Sequence, residues 1–147
     1  MKRILAAIDH SAPSLRGARL AADIAAKFEA ELVLVTVAQQ LNIPEPELED
    51  YRRIEHVSEP LGVIVANGAQ VELELLRDRL AADHKFRILT DVLVGQPAEQ
   101  ITSYARRSAV DLIVLGHVGH SRLANLLIGS VAKRVVEAVS CPVLIVH

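Results

Sequence analysis

Short apolar runs alternate along the chain with segments whose apolar residues recur at helical spacing. This alternation limits the fold more than any other feature of the sequence. The runs are rich in Val, Ile and Leu, and they span Arg3–Ile8, Leu32–Val37, Phe86–Val94, Asp111–Leu115 and Val143–Val146. Such runs are typical of strands that are buried on both faces of a parallel sheet. Because helical segments connect them, the sequence predicts an α/β fold with a doubly wound parallel sheet.

Helix signals lie between these predicted strands. The first helix is expected just after Asp9, with Pro13 in its opening turn. A second helix is expected from about Glu59 to His84, although two glycines within it argue against one unbroken helix. Two more are predicted after Gly95-Gln96-Pro97 and over Val131–Val139. The stretch from 38 to 67 is the hardest to interpret.

The size and composition of the chain fit one domain, residues 1–147. Its 147 residues are 51% hydrophobic and only 3% aromatic, as expected where aliphatic helices pack on a buried sheet. No internal repeat, low-complexity run or linker divides the sequence.

Charge and cysteine content point away from several classes of protein. A net charge of −2 and the scarcity of aromatic residues argue against nucleic-acid binding. The single cysteine, Cys141, excludes an intrachain disulfide and fits a reducing compartment. No stretch has the length of a membrane span, and the first apolar run is too short for a signal peptide. We therefore expect a cytoplasmic protein with no membrane or nucleic-acid partner.

Three glycines mark the strongest candidate for a binding site. Gly116 and Gly119 follow a predicted strand, and Gly129 comes directly before Ser130 and a predicted helix. Glycine can adopt positive φ and lets a phosphate approach the main chain, and Ser130 is a suitable helix N-cap. A helix N-terminus beside a strand end attracts anions. No lysine follows the last glycine, so the pattern is not a P-loop. The alternative is that these glycines serve only as turn and cap residues.

The pattern Gly116-x2-Gly119-x9-Gly129-Ser130 resembles the nucleotide-binding signature of the universal stress protein family. The resemblance covers nearly the whole chain and extends to Ile4–Ser11, Ala30–Val37, Val94–Pro97, Asp111–Gly116 and Ser140–Val146. It implies a three-layer, five-stranded parallel sheet of order 3-2-1-4-5, which is Rossmann-like or flavodoxin-like. It also implies ATP as the ligand, with bridging of its phosphates by Mg²⁺ left open.

The expected site surrounds the ends of the first and fourth strands, where the strand order reverses. Asp9 is expected to accept a hydrogen bond from adenine or ribose, its alternative role being a helix-cap or turn residue. Val37 is expected to provide an apolar wall for the base. The full set of candidate binding residues is Ala7, Asp9, Val37, Leu115, Gly116, Val118, Gly119, Gly129, Ser130, Val131 and Ala132.

Other side chains give no case for catalysis or for a metal. His10, His117 and His120 are expected to be exposed loop residues, and the six histidines lack metal-ligand spacing. No catalytic residue is predicted. The favoured function is a nucleotide-dependent regulatory protein of the stress response, with an unidentified protein partner. The resemblance also implies a homodimer that pairs through the C-terminal strand. The alternatives are a slow ATPase or self-phosphorylating enzyme, and a structural dimer without a ligand.

Overall fold

The computed structural model describes residues 1–38, 61–83, 86–117 and 128–147. Its strands are β1 (Arg3–Ala7), β2 (Glu31–Ala38), β3 (Ile88–Val94), β4 (Leu112–Gly116) and β5 (Val143–Val146). They form one sheet of order β3-β2-β1-β4-β5, in which every neighbouring pair is parallel. The doubly wound sheet and its 3-2-1-4-5 order are therefore confirmed.

Helices connect the strands and cover both faces of the sheet. They are α1 (Ala12–Phe28), α2 (Leu61–Asp83), α3 (Pro97–Arg107) and α4 (Ser130–Ala138). α1 and α2 contribute to one core, whereas α3 and α4 contribute to the other. Side chains alternate along the central strand, so Ile4 and Ala6 enter the first core and Leu5 enters the second.

The first core depends on small side chains along one face of α1. These residues are completely buried, and they are Ala18, Ala21, Ala22 and Ala25. An alanine face lets the helix axis lie close to the sheet, where large aliphatic residues such as Leu32 and Leu34 fill the space.

The long helix α2 corrects one expectation. It is continuous from Leu61 to Asp83, although Gly62 and Gly68 argued for a break. A Cβ on Gly68 would meet nothing within 4 Å, so this glycine performs no packing role. Glycine costs a helix only about 1 kcal/mol relative to alanine, and the burial of Leu73 and Leu80 outweighs that cost.

Expectations for residues 39–60 are not tested by the structure. These residues, which form most of the stretch that was hard to interpret, lie outside the described ones. Within the described ranges, no helix combines the length and the apolar character needed to cross a bilayer.

Candidate functional site

A cavity of about 540 Å³ lies at the carboxyl ends of β1, β2 and β4. The strand order reverses between β1 and β4, and ligands of open α/β sheets bind outside such a reversal. The cavity is therefore where the fold alone would place a ligand.

The turn after β1 forms one wall of the cavity. Oδ1 of Asp9 accepts hydrogen bonds from the backbone N–H of Ser11 at 3.0 Å and from the Ser11 hydroxyl. The Ser11 hydroxyl in turn accepts a bond from the backbone N–H of Ser14 at 3.3 Å and caps α1. His10, between them, has a φ of 62°, which is uncommon for a residue other than glycine. Asp9 is thus the residue that organises this turn, and it also lines the cavity.

A buried threonine holds the end of β1 against β2. The Thr36 hydroxyl donates to the carbonyl oxygen of Ile8 at 2.8 Å, and the Ile8 N–H donates to the carbonyl of Val35 at 2.7 Å. These two bonds extend the pairing of the strands one residue beyond β1. They fix the position from which the Asp9 turn departs.

Gly116 ends β4 where the chain passes closest to α1. A Cβ at this position would lie 2.9 Å from the backbone nitrogen of Ser14 and 3.2 Å from Cβ of Pro13. Gly116 does not use the positive φ that is open to glycine, because among the described glycines Gly95 alone has one, at 136°. Gly116 is needed for its lack of a side chain, not for its backbone freedom.

Gly129, and not Ser130, is the N-cap of α4. Gly129 has an extended backbone (φ −64°, ψ 155°), so it does not use a positive φ either. Its N–H donates to the carbonyl of His117, and its carbonyl accepts the first helical bond from Lys133 at 3.0 Å. The N-cap prediction for Ser130 is wrong because Gly129 already occupies that position and Ser130 is the first helical residue.

The start of α4 presents backbone donors to the cavity. The amides of Ser130, Val131 and Ala132 precede Lys133, which donates the first bond of the helix. The first amides of a helix have no carbonyl partner within it. All three residues line the cavity.

A third helix completes the cavity. Pro97 and Ile101 of α3 form a wall that the sequence did not predict. Gly95 turns the chain from β3 into α3, and a Cβ there would lie 2.9 Å from Nε2 of Gln100. The signal that could have located this wall is the position of Pro97, which follows the end of β3 as Asp9 follows β1.

The structure brings together most of the predicted site residues. Those that line the cavity are Ala7, Asp9, Val37, Leu115, Gly116, Gly129, Ser130, Val131 and Ala132. Val118 and Gly119 lie outside the described residues. The lining residues that were not predicted are Ile8, His10, Ser14, Val35, Thr36, Pro97 and Ile101.

No lysine or arginine is among the described residues that line the cavity, whereas the starts of three helices are. Of the described lining residues, Asp9 and His10 alone carry ionisable side chains. Nε2 of His10 lies 3.0 Å from a carboxylate oxygen of Glu72 on α2. The N-terminal turns of α1, α3 and α4 all contribute to the lining, and helix N-termini are electropositive. The arrangement suits a ligand with an apolar ring at one end and an anionic group at the other.

Of the three histidines that are expected to be exposed loop residues, His117 departs from that expectation. The ring of His117 is half-buried and packs against His147, with ring centroids 4.4 Å apart. Its Nδ1 is buried without a hydrogen-bond partner among the described residues, so the expected exposed loop residue is wrong here. His10 is exposed but is paired with Glu72, and His120 lies outside the described residues. Over the described ranges, no three His, Cys, Asp or Glu side chains group as metal ligands would.

The chemical groups that line the cavity match those that a nucleotide needs. A polyphosphate needs N–H donors and close access to the main chain, which the start of α4 and the side-chain-free Gly116 offer. An adenine ring needs an apolar wall and an acceptor for its amino group, which Val35, Val37 and Asp9 offer.

Comparison with known proteins identifies the family of the chain. The universal stress protein model matches residues 1–147. The universal stress protein MJ0531 of Methanocaldococcus jannaschii is 32% identical over 99% of this chain and 81% of its own length.

Solved structures extend the agreement to the fold. The universal stress protein UspA from Lactobacillus plantarum superposes with a TM-score of 0.83 at 24% identity, over 99% of this chain and 97% of that one. A universal stress protein in complex with cAMP superposes with a TM-score of 0.67 at 28% identity, over 99% and 96% of the two chains. With the family model matching from end to end, this chain belongs to the universal stress protein family.

Proposed function

We propose that this protein binds ATP in the cavity between β1 and β4 and acts as a nucleotide-dependent regulator in a stress response. One observation carries the proposal. The backbone donors at the start of α4 and the carboxylate of Asp9 line the same cavity. A related universal stress protein has been solved in complex with cAMP, which supports a nucleotide as the class of ligand.

Asp9 and its neighbours suit the nucleoside. A carboxylate can accept several hydrogen bonds, so Asp9 can hold Ser11 and also accept from an adenine amino group or a ribose hydroxyl. Val35, Val37 and Ile101 offer an apolar surface to the base. The turn hydrogen bonds hold the Asp9 carboxylate in place before the ligand arrives, which lowers the entropic cost of binding.

The start of α4 and Gly116 suit the phosphates. Three successive amides and the Ser130 hydroxyl can donate to phosphate oxygens, and Gly116 removes a side chain that would hold them away. The glycine signature also assigns Gly119 and Val118 to this role. No lysine or arginine is among the described lining residues, so Mg²⁺ that bridges the phosphates would add the missing positive charge.

Regulation is favoured over catalysis by the side chains at hand. Phosphoryl transfer relies on carboxylates that hold the metal and on a residue that positions the nucleophile. Among the described lining residues, Asp9 is the one carboxylate, and its Oδ1 already organises the turn.

We also propose a homodimer that pairs through β5. β5 lies at the edge of the sheet, and its four residues are apolar and half-buried. Exposed apolar edge strands are normally covered, and pairing with a second copy about a two-fold axis would cover this one. Sedimentation velocity should give a dimer at micromolar concentration, with β5 amides protected from hydrogen exchange. A monomer with exchanging β5 amides would contradict the dimer and leave the nucleotide site unaffected.

Calorimetry on nucleotide-stripped protein tests the binding proposal. The protein should bind ATP. The Asp9→Asn change should lower the affinity for ATP by about tenfold, the usual effect of losing a hydrogen bond to a charged group. The same change should leave the affinity for inorganic triphosphate unaffected, since triphosphate lacks the base and the ribose. Asparagine keeps an acceptor for the Ser11 N–H, so the turn should persist.

Asp83→Asn, at the C-terminal end of α2, makes the same charge change far from the cavity and serves as the control. Absence of heat with millimolar ATP, or equal ATP affinity in the Asp9 and Asp83 variants, would overturn the proposal. Steady release of phosphate that Asp9→Asn abolishes would instead favour the enzyme.

A further inference from the structure

A second cavity lies on the outside of the molecule, in the groove between α3 and α4. Its volume is also about 540 Å³. Thr102, Ser103 and Arg106 line it from α3, and Ser130, Arg134 and Ala138 line it from α4. We refer to it as the α3–α4 groove. It shares Pro97, Ser130 and Val131 with the first cavity and extends from there along the two helices.

The α3–α4 surface is basic although the whole chain has a net charge of −2. Its cationic side chains outnumber its carboxylates by two, and all of them are exposed. The cations are Arg106, Arg107, Lys133 and Arg134, and the carboxylates are Glu99 and Glu137. Arg107 packs over the Tyr104 ring, whereas Arg106 and Arg134 line the groove.

The two groove arginines retain capacity for a ligand. Nη2 of Arg106 donates to the carbonyl of Ala138 at 2.7 Å, which anchors the guanidinium at the C-terminal end of α4. A guanidinium has five N–H donors, so most of them are not used by this bond. Arg134 forms no ion pair and no hydrogen bond with the residues that the structure describes.

The shape of the groove suits an extended chain. α4 has nine residues, and at 1.5 Å per residue the groove beside it is about 13 Å long. An extended peptide of about four residues covers that length. Small and hydroxyl-bearing side chains such as Thr102, Ser103 and Ala138 line it, so a peptide backbone can approach closely.

We propose that the α3–α4 groove is a docking surface for an extended acidic segment of a partner protein, whose carboxylates pair with Arg106 and Arg134. Glu99 lines the opposite end, near the start of α3, and repels acidic side chains there. The carboxylates of the partner are therefore expected at the end where Arg106 meets Ala138. A protein is favoured over single-stranded RNA because none of the described residues that line the groove is aromatic and able to stack on a base.

An NMR titration of the nucleotide-stripped protein tests the proposal without depending on nucleotide binding. The probe is a glycine-flanked tetraglutamate peptide, and the matched probe has four glutamines instead. The glutamate peptide should shift the amide signals of α3 and α4, and the glutamine peptide should not. Arg134→Gln should lower the affinity for the glutamate peptide by about fivefold, as expected for loss of one exposed ion pair.

The control variant is Arg19→Gln on α1, which removes the same charge from the opposite face of the sheet. It should leave the affinity unchanged. Arg106→Gln should also lower the affinity for the glutamate peptide. Because it removes the hydrogen bond to Ala138 as well, Arg134→Gln is the decisive variant. Equal binding of both peptides, or equal losses in the Arg134 and Arg19 variants, would overturn the proposal. Shifts of the groove amides by an oligouridylate, and not by the glutamate peptide, would replace it with RNA binding.

Discussion

Gly116 and Ser14 are packed so closely that a Cβ on Gly116 would lie 2.9 Å from the backbone nitrogen of Ser14. This contact joins the end of β4 to the first turn of α1, which are more than a hundred residues apart in sequence. Asp9 and Gly116 line the same cavity beside this contact.

Gly116→Ala should therefore destabilise the protein. The backbone of α1 cannot rotate away as a flexible side chain can, so the helix or the strand must shift, at a cost of about 1–3 kcal/mol in the free energy of unfolding. Gly17→Ala is the matched control, because its Cβ would lie 3.4 Å from Cγ1 of Val114, an ordinary contact. That change should be neutral or stabilise by up to about 1 kcal/mol through helix propensity. Urea unfolding measures both, and equal effects would contradict the role of the Gly116–Ser14 contact.

Two leucines on α2 should differ sharply in their contribution to stability. Leu73 is completely buried, whereas Leu75 is 54% exposed. Leu73→Ala leaves a cavity against the sheet and should cost about 2–5 kcal/mol. Leu75→Ala should change stability by less than about 0.5 kcal/mol, as surface changes do. Chemical denaturation of the pair tests whether α2 packs in this orientation, and similar losses would show that it does not.

Asp111 should make part of the stability depend on acid pH. Its carboxylate accepts hydrogen bonds from the backbone N–H groups of Lys2 and Arg3, and these lower its pKa below the ordinary 3.8. The pKa of Asp111 is lower in the folded protein than in the unfolded chain. Its contribution to stability is therefore fully present above the unfolded pKa and is lost as the pH falls through the folded pKa.

The stability difference between wild type and Asp111→Asn should accordingly shrink as the pH falls below about 4. Urea unfolding at a series of pH values measures it. Asp83→Asn, on α2, provides the same substitution away from these amides. A difference that stays constant down to the lowest pH would show that the two backbone bonds do not stabilise the ionised form.

Cys141 should react slowly for a thiol. Burial raises its pKa above the ordinary 9.0, and the negative charge of Asp111 raises it further. The thiolate is the reactive form, so alkylation by iodoacetamide at mildly alkaline pH should be slower than for free cysteine. Unfolding in urea should remove the difference. A pH–rate profile with a midpoint below that of free cysteine would contradict this environment.

Strand positions followed closely from the apolar runs of the sequence. The predicted bounds of β5 match the structure, because Pro142 and His147 flank a short apolar run. β3 begins at Ile88, two residues later than predicted, because Phe86 packs against the core without joining the ladder. α2 lies where a helix was predicted, but its continuity could not be predicted, since local glycine propensity is outweighed by contacts that are distant in sequence.

The site was predictable only in part, for a similar reason. A linear pattern locates Gly116, Gly129 and Ser130, but it does not say which of them caps the helix. The wall made by Pro97 and Ile101 lies in the crossover between β3 and β4, outside the glycine pattern, and the position of Pro97 just after β3 is the one local signal for it. The role of Thr36 depends on the carbonyl of Ile8, which becomes its neighbour only when β1 and β2 pair.

The first cavity is lined from both helical layers, with Ser14 of α1 on one side of the sheet and Ile101 and Ala132 on the other. A ligand bound there would contact both helical layers and stabilise the folded state, so the melting temperature should rise with the concentration of the ligand. Preparations that retain different amounts of such a molecule should therefore differ in heat resistance and in survival under protease, even though their sequence is identical. In a living cell, the lifetime of the protein would then follow the supply of whatever it holds.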